Sequence, residues 1–173
     1  METEVRRIDP WDTINDIGQD DAELRRQIAL RYQLDGASTS ADEIVVCNCA
    51  LEALNPCLAA VTQPGDTVII ESPSFYAALQ SIERQGLRAV EVPSHPAEGI
   101  DLQALEHAII QHRPKACWLM TNFQNPTGSL MPEAKKQALV ALMHRYQLPL
   151  IGDDVYRELY FGKQRPLPAK TYD

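Results

Sequence analysis

The chain has 173 residues, 45% of them apolar, and carries a formal charge of −8 with a pI near 5.0. That length and apolar share suffice for one domain with a buried core, and its 8 glycines and 12 prolines fall well short of the share that marks disorder. An acidic chain lacks the basic face that phosphate backbones need, which excludes nucleic-acid binding by this chain alone.

The pattern is an alternation of helices and strands. Leu24–Leu30 has helical spacing behind the acidic pair Asp20 and Asp21. Ile44-Val45-Val46-Cys47 is a short β-branched run that predicts a strand. Residues 50–62 predict a helix with Pro56 inside it, and Gln63-Pro64-Gly65-Asp66 a turn. Thr67–Glu71 predicts a strand, and Ser74–Arg84 a helix stopped by Gly86. Arg88–Val92 follows as a strand, then Asp101–Ile110 as a helix capped by Asp101. Ala116–Met120 predicts a strand, and Pro132–Tyr146 a helix with proline in its first turn. Leu148–Gly152 is the last strand, with Pro149 confined to its start.

Such an alternation implies an α/β fold: a mostly parallel sheet with helices on both faces. Met1–Arg7 holds no apolar run, so no signal peptide is expected, and no stretch reaches the 18 or so apolar residues of a membrane span. The four cysteines (Cys47, Cys49, Cys57, Cys117) show neither a disulfide nor a zinc framework, and the scattered histidines suggest no metal site. A cytoplasmic protein with reduced thiols is expected.

Ligands of parallel α/β sheets bind beyond the carboxyl ends of the strands. Past the first predicted strand, Asn48-Cys49-Ala50-Leu51 opens a helix; its N–H groups could hold a phosphate or form an ordinary turn. Past the second, Ser72-Pro73-Ser74-Phe75-Tyr76 places adjacent aromatics where they could stack on a flat ligand or simply pack. Past the strand at Trp118 comes Thr121–Gly128, in which Asn125-Pro126 sets a tight turn. Past Ile151 comes Asp153-Asp154-Val155-Tyr156, a carboxylate at the end of an apolar strand that calls for a cationic partner. Neither a GxGxxG nor a P-loop sequence is present.

In their order, Gln63-Pro64-Gly65-Asp66, Glu71–Phe75, Asn125-Pro126-Thr127-Gly128 and Asp153–Leu159 resemble the large domain of the fold-type-I pyridoxal-phosphate (PLP) enzymes, the aspartate aminotransferase superfamily. The resemblance runs from about residue 20 to the end. Ala50–Leu54 and Asp154–Leu159 look most like the MocR-type regulators, which join a GntR-like winged helix to an aminotransferase-like domain. The resemblance implies PLP as cofactor and an amino acid as substrate or effector. It further implies that Asp153 pairs with the pyridinium nitrogen, that Asn125 and Tyr156 bond the ring's phenolic oxygen, and that Phe75 (or its neighbour Tyr76) stacks on the ring. Backbone amides at Ala50 and Leu51 would hold the phosphate. Cys49 departs from the glycine or serine more usual at its position.

The family also holds its cofactor on a Schiff-base lysine in a Ser-x-x-Lys or Ser-x-Ser-Lys stretch beyond the Asp-x-x-Tyr motif. Lys163 and Lys170, in Phe-Gly-Lys-Gln-Arg and Pro-Ala-Lys-Thr-Tyr, do not match it, so no catalytic residue is assigned. The expectation is an N-terminal extension over residues 1–20 and a partial PLP-transferase large domain over 21–173. It would be inactive alone and, with strand edges and apolar faces uncovered, prone to dimerise or self-associate. Three functions stay open: the ligand-sensing part of a regulator, part of a dedicated aminotransferase, or an inactive structural piece.

Overall fold

The computed structural model describes residues 21–173; the extension expected over 1–20 lies outside them. Helix α1 (Ala22–Leu34) leads through a 3₁₀ turn to α2 (Ala50–Val61). Then follow β1 (Thr67–Ser72), α3 (Tyr76–Arg84), β2 (Arg88–His95), β3 (Gly99–Ile100), α4 (Leu102–His112), β4 (Ala116–Leu119), α5 (Glu133–Tyr146) and β5 (Leu150–Gly152). A 3₁₀ turn over Ala169–Tyr172 closes the chain.

The sheet runs in the order β3-β2-β1-β4-β5, with β2, β1, β4 and β5 parallel and only the two-residue β3 antiparallel. Successive residues of the central strands serve opposite faces. Val68 and Ile70 of β1 with Ala116 and Trp118 of β4 join Leu54 and Leu58 of α2 and Ala78 and Ile82 of α3 in one core. Ile69, Cys117 and Leu119 join Leu105 and Ile109 of α4 and Leu139, Leu142 and Met143 of α5 in the other. Val68–Ile70 and Ala116–Leu119 are buried on both faces, which is why these stretches of β1 and β4 read as hydrophobic runs rather than as an alternation.

The helix ends follow their local chemistry. Asp101 accepts from the N–H groups of Gln103 and Ala104 at 2.8 and 3.1 Å and so caps α4. Gly86, at φ +68°, ends α3: its N–H donates to Glu83 O, and that of Leu87 to Ile82 O. Together these are the paired bonds of a Schellman motif, whose left-handed residue favours glycine.

Two features differ from expectation. Ile44–Cys47 does not form a strand: the run is extended, with Val45 80% exposed, and pairs with no strand among the described residues. Conversely, β3 carries no β signal of its own and forms because Ser94 and His95 pair with Ile100 and Gly99 across a short turn. Pro56 lies inside α2, which continues through it.

Candidate functional site

The strand order reverses between β1 and β4: the chain moves outward from β1 to β2 and β3, then returns to lay β4 and β5 on the other side. Loops leaving two such strands diverge and open a crevice at their carboxyl ends. The segments after β1, β4 and β5, which hold most of the candidate residues, all emerge at that end.

Side chains knit these segments together. Gln124 donates through Nε2 to Pro73 O at 2.7 Å, joining the segment after β4 to the one after β1. The Gln124 Oε1 accepts from Thr127 N and Oγ1 at 2.9 and 2.6 Å, which shapes the Asn125–Gly128 turn. Asn122, fully buried, donates through Nδ2 to Asp154 Oδ1 at 2.7 Å and so ties the same segment to the one after β5. Asn125 then meets Tyr156: its Nδ2 lies 3.4 Å from the phenolic oxygen.

Asp153 opens the last segment. Its N–H donates to Leu119 O at 2.9 Å, so its backbone extends the β4–β5 ladder. The carboxylate accepts a long bond, 3.3 Å, from Val155 N. Desolvation, with the Asp154 charge beside it, raises its pKa above the ordinary value despite that bond. A half-buried carboxylate so placed gains from a cationic N–H partner, the property that pairing with a pyridinium requires.

Phe75 sits at the start of α3 with its ring 5.0 Å from that of Tyr76, edge to face at 61°. Phe75 packs partly into the core while Tyr76 is 67% exposed, so of the two Phe75 is the held ring. Ala50 and Leu51 lie on the exposed first turn of α2. Their link to the crevice runs through the packing of Leu54 and Leu58 on β1 and α3. No side chain caps this helix: the N-cap is Cys49, and Glu52 in the first turn accepts from Asn48 N at 2.8 Å. The exposed N–H groups of that turn suit a phosphate, with the Glu52 carboxylate as a nearby opposing charge.

The donor set fits pyridoxal 5′-phosphate: a carboxylate seeking a cation, an amide and a phenol that meet from separate segments, a held aromatic ring, and an uncapped helix start. A sequence model of the family described as aminotransferase class I and II matches residues 13–172. The chain belongs to the class I and II aminotransferase family. PLP is the cofactor of that family.

The chain is 56% identical over 160 residues to the HTH-type transcriptional regulator YdcR of Escherichia coli K12, covering 92% of this chain and 34% of that protein. Among solved structures it resembles LysN, the α-aminoadipate aminotransferase of Thermus thermophilus complexed with N-(5′-phosphopyridoxyl)-L-leucine. The TM-score there is 0.76 at 34% identity, over 84% of this chain and 36% of that one. An archaeal alanine:glyoxylate aminotransferase superposes at TM-score 0.87 and 25% identity, over 98% of this chain and 43% of that one. The chain thus spans about a third of the length of the curated relatives it matches.

Several members of the network were not singled out from sequence. Asn122 and Gln124 lay in the strand-end run, but as side chains of a turn they carried no signal of which segments they join. Lys136 had none, and Glu71 entered only as part of the motif Glu71–Phe75: a lysine in a helix and a glutamate at a strand end ordinarily face water. Both are 1% exposed.

Proposed function

We propose that this chain binds PLP at the crevice between β1 and β4 as the cofactor-holding part of an aminotransferase-like domain, and that the parent protein is a MocR-type transcriptional regulator. The meeting of Asn125 at 3.4 Å with Tyr156, in the segment that Asp153 opens, carries this reading. Two of the three groups meet across two loops, and all three follow strands β4 and β5 at the end where an α/β sheet holds its ligands, which supports the reading.

In this reading Asp153 holds a proton on the ring nitrogen, a charge-assisted bond that also lowers the cost of its own burial. Asn125 and Tyr156 orient around a phenolate-type oxygen, the amide N–H and the phenol O–H both as donors. Phe75 covers one face of the ring and excludes water from it. Ala50 and Leu51 offer their backbone N–H groups to the phosphate. PLP, when bound, supplies an electron sink for charge developing at the α-carbon of an amino acid. The amino acid serves as effector or substrate.

The 56% identity to YdcR favours the regulator over the second reading, a dedicated aminotransferase, to which the 34% identity with LysN points. A winged helix encoded in frame before Met1 supports the first, and its absence from the gene the second. The free thiols of the chain fit a reducing compartment, and we place the protein in the cytoplasm, associating with a second copy of itself. Titration with PLP, followed by absorbance and tryptophan fluorescence, tests the cofactor reading. One saturable, dialysable site per chain is expected; no saturation up to millimolar PLP overturns it.

A further inference from the structure

Lys136 lies on α5 with 1% of its surface exposed, a burial that an unpaired ammonium does not tolerate. Its Nζ donates to Asn122 Oδ1 at 2.5 Å and to Leu167 O at 2.6 Å. An ammonium has only protons to give, so the Asn122 amide must turn its oxygen toward Lys136. Its nitrogen is thereby directed the other way, where it donates to Asp154 Oδ1 at 2.7 Å and Leu167 O at 3.2 Å. Asp154 begins the turn that holds Tyr156, closed by a bond from Arg157 N to Asp154 O at 3.1 Å. Asp154 also faces Arg157, whose Nε lies 3.6 Å from Oδ2 and whose Nη1 is engaged by Asp35 at 2.6 Å, with the Asp35 and Asp153 carboxylates as opposing charges nearby.

We propose that Lys136 is a positioning residue for the candidate cofactor site: by orienting the Asn122 amide it clamps Asp154, and with it the turn that presents Asp153 and Tyr156 to Asn125. The proposal rests on the PLP reading for its functional meaning and on the hydrogen bonds alone for the clamp. Asn122 stands three residues before Asn125, and Asp154 two before Tyr156, so the clamp fixes both sides of the Asn125–Tyr156 contact. Methionine at position 136 would keep most of the volume and remove the donor. The Asn122 amide would then be free to rotate, and Asp154 would lose the donor aimed at it.

The test is amide hydrogen exchange on the whole chain, with PLP titration alongside. In Lys136→Met the amides of Asp153 and Arg157 are expected to exchange at least tenfold faster. Those of Val68–Ile70 in β1 should stay within twofold of wild type, and the PLP dissociation constant should rise at least tenfold. Lys135→Met, one position earlier on the same helix, should leave all three unchanged. Lys136→Gln, which retains a donor without the charge, should recover part of the protection and keeps the test open if the methionine variant does not fold. Unchanged exchange at Asp153 and Arg157, or acceleration spread evenly over the sheet, overturns the clamp. Local acceleration in a chain whose wild type does not bind PLP sustains the clamp and removes the proposed cofactor.

Discussion

Glu71 reaches from the end of β1 to the backbone N–H of Met120, which it accepts at 2.8 Å across the point where β1 and β4 part. The β1–β4 pairing stops at Ile70 opposite Trp118, whereas β1 stays paired to β2 as far as Ser72 opposite Pro93. The carboxylate takes the place of a missing ladder partner on one side and accepts from Ser94 Oγ at 3.2 Å on the other. The crevice thus opens at a site closed from below by a buried acid.

That acid makes stability depend on pH. Burial, only partly offset by the Met120 and Ser94 bonds, pushes Glu71 up to about 7 from 4.5. The folded chain therefore holds a proton there that the unfolded chain has released, and stability falls as pH rises from about 4.5 to about 7. At about 1.4 kcal/mol per unit the loss is about 3 kcal/mol, complete above pH 7. Glu71→Gln is neutral throughout and should lose this falling limb. Denaturant melts at pH 5 and pH 8 check it: the variant should gain on wild type as pH rises, and a constant difference contradicts the assignment.

Lys136 gives the opposite slope at higher pH. Burial lowers its ammonium to about 8 from 10.5, so between those values the unfolded chain binds more protons and stability rises with pH. Lys136→Met should abolish that rise in melts between pH 8 and 10.5. Persistence of the rise would mean that another group causes it.

Asp153→Asn separates binding from folding. Desolvation raises the Asp153 pKa, so at neutral pH the charge costs stability and asparagine should leave the melting temperature equal or slightly higher. PLP affinity should nevertheless fall at least tenfold as the ring nitrogen loses its anionic partner. Wild-type affinity in the variant contradicts the role given to Asp153.

Borohydride reduction in the presence of PLP should leave no stoichiometric adduct on any one lysine, read by intact mass and peptide mapping. Lys136 is buried and doubly hydrogen-bonded, and Lys170 is paired to Asp173 at 2.7 Å. A single fully modified lysine would mean that this chain carries its own covalent anchor, and its catalytic standing would change.

Self-association should be visible in sedimentation at high concentration. Phe161 is fully exposed, Leu159 is 65% exposed, and the outer side of β5 pairs with no strand among the described residues. Such surfaces and edges favour a second copy. Leu159→Lys with Phe161→Ser should shift the distribution toward monomer. A monodisperse wild-type monomer contradicts the expectation.

By itself the sequence determined the layered architecture. The apolar cores Val68–Ile70 and Ala116–Met120 of the two predicted strands mark strands covered on both faces, and Asp101 and Gly86 mark helix ends through bonds closed within a few residues. The strand-end motifs around Phe75, Asn125, Asp153 and Tyr156 were legible for the same reason, since each is a local turn in a fixed order. Only the tertiary structure decided what depends on distant partners. Ile44–Cys47 has the residues of a strand but lies outside the described sheet, and Gly99–Ile100 pairs in that sheet without the residues of a strand. Glu71 finds Met120 49 residues away, and Lys136 finds Asn122 and Leu167 on either side of it in the chain. Backbone preference is a property of a few consecutive residues, whereas a buried charge is tolerated only where the fold brings its partners to it.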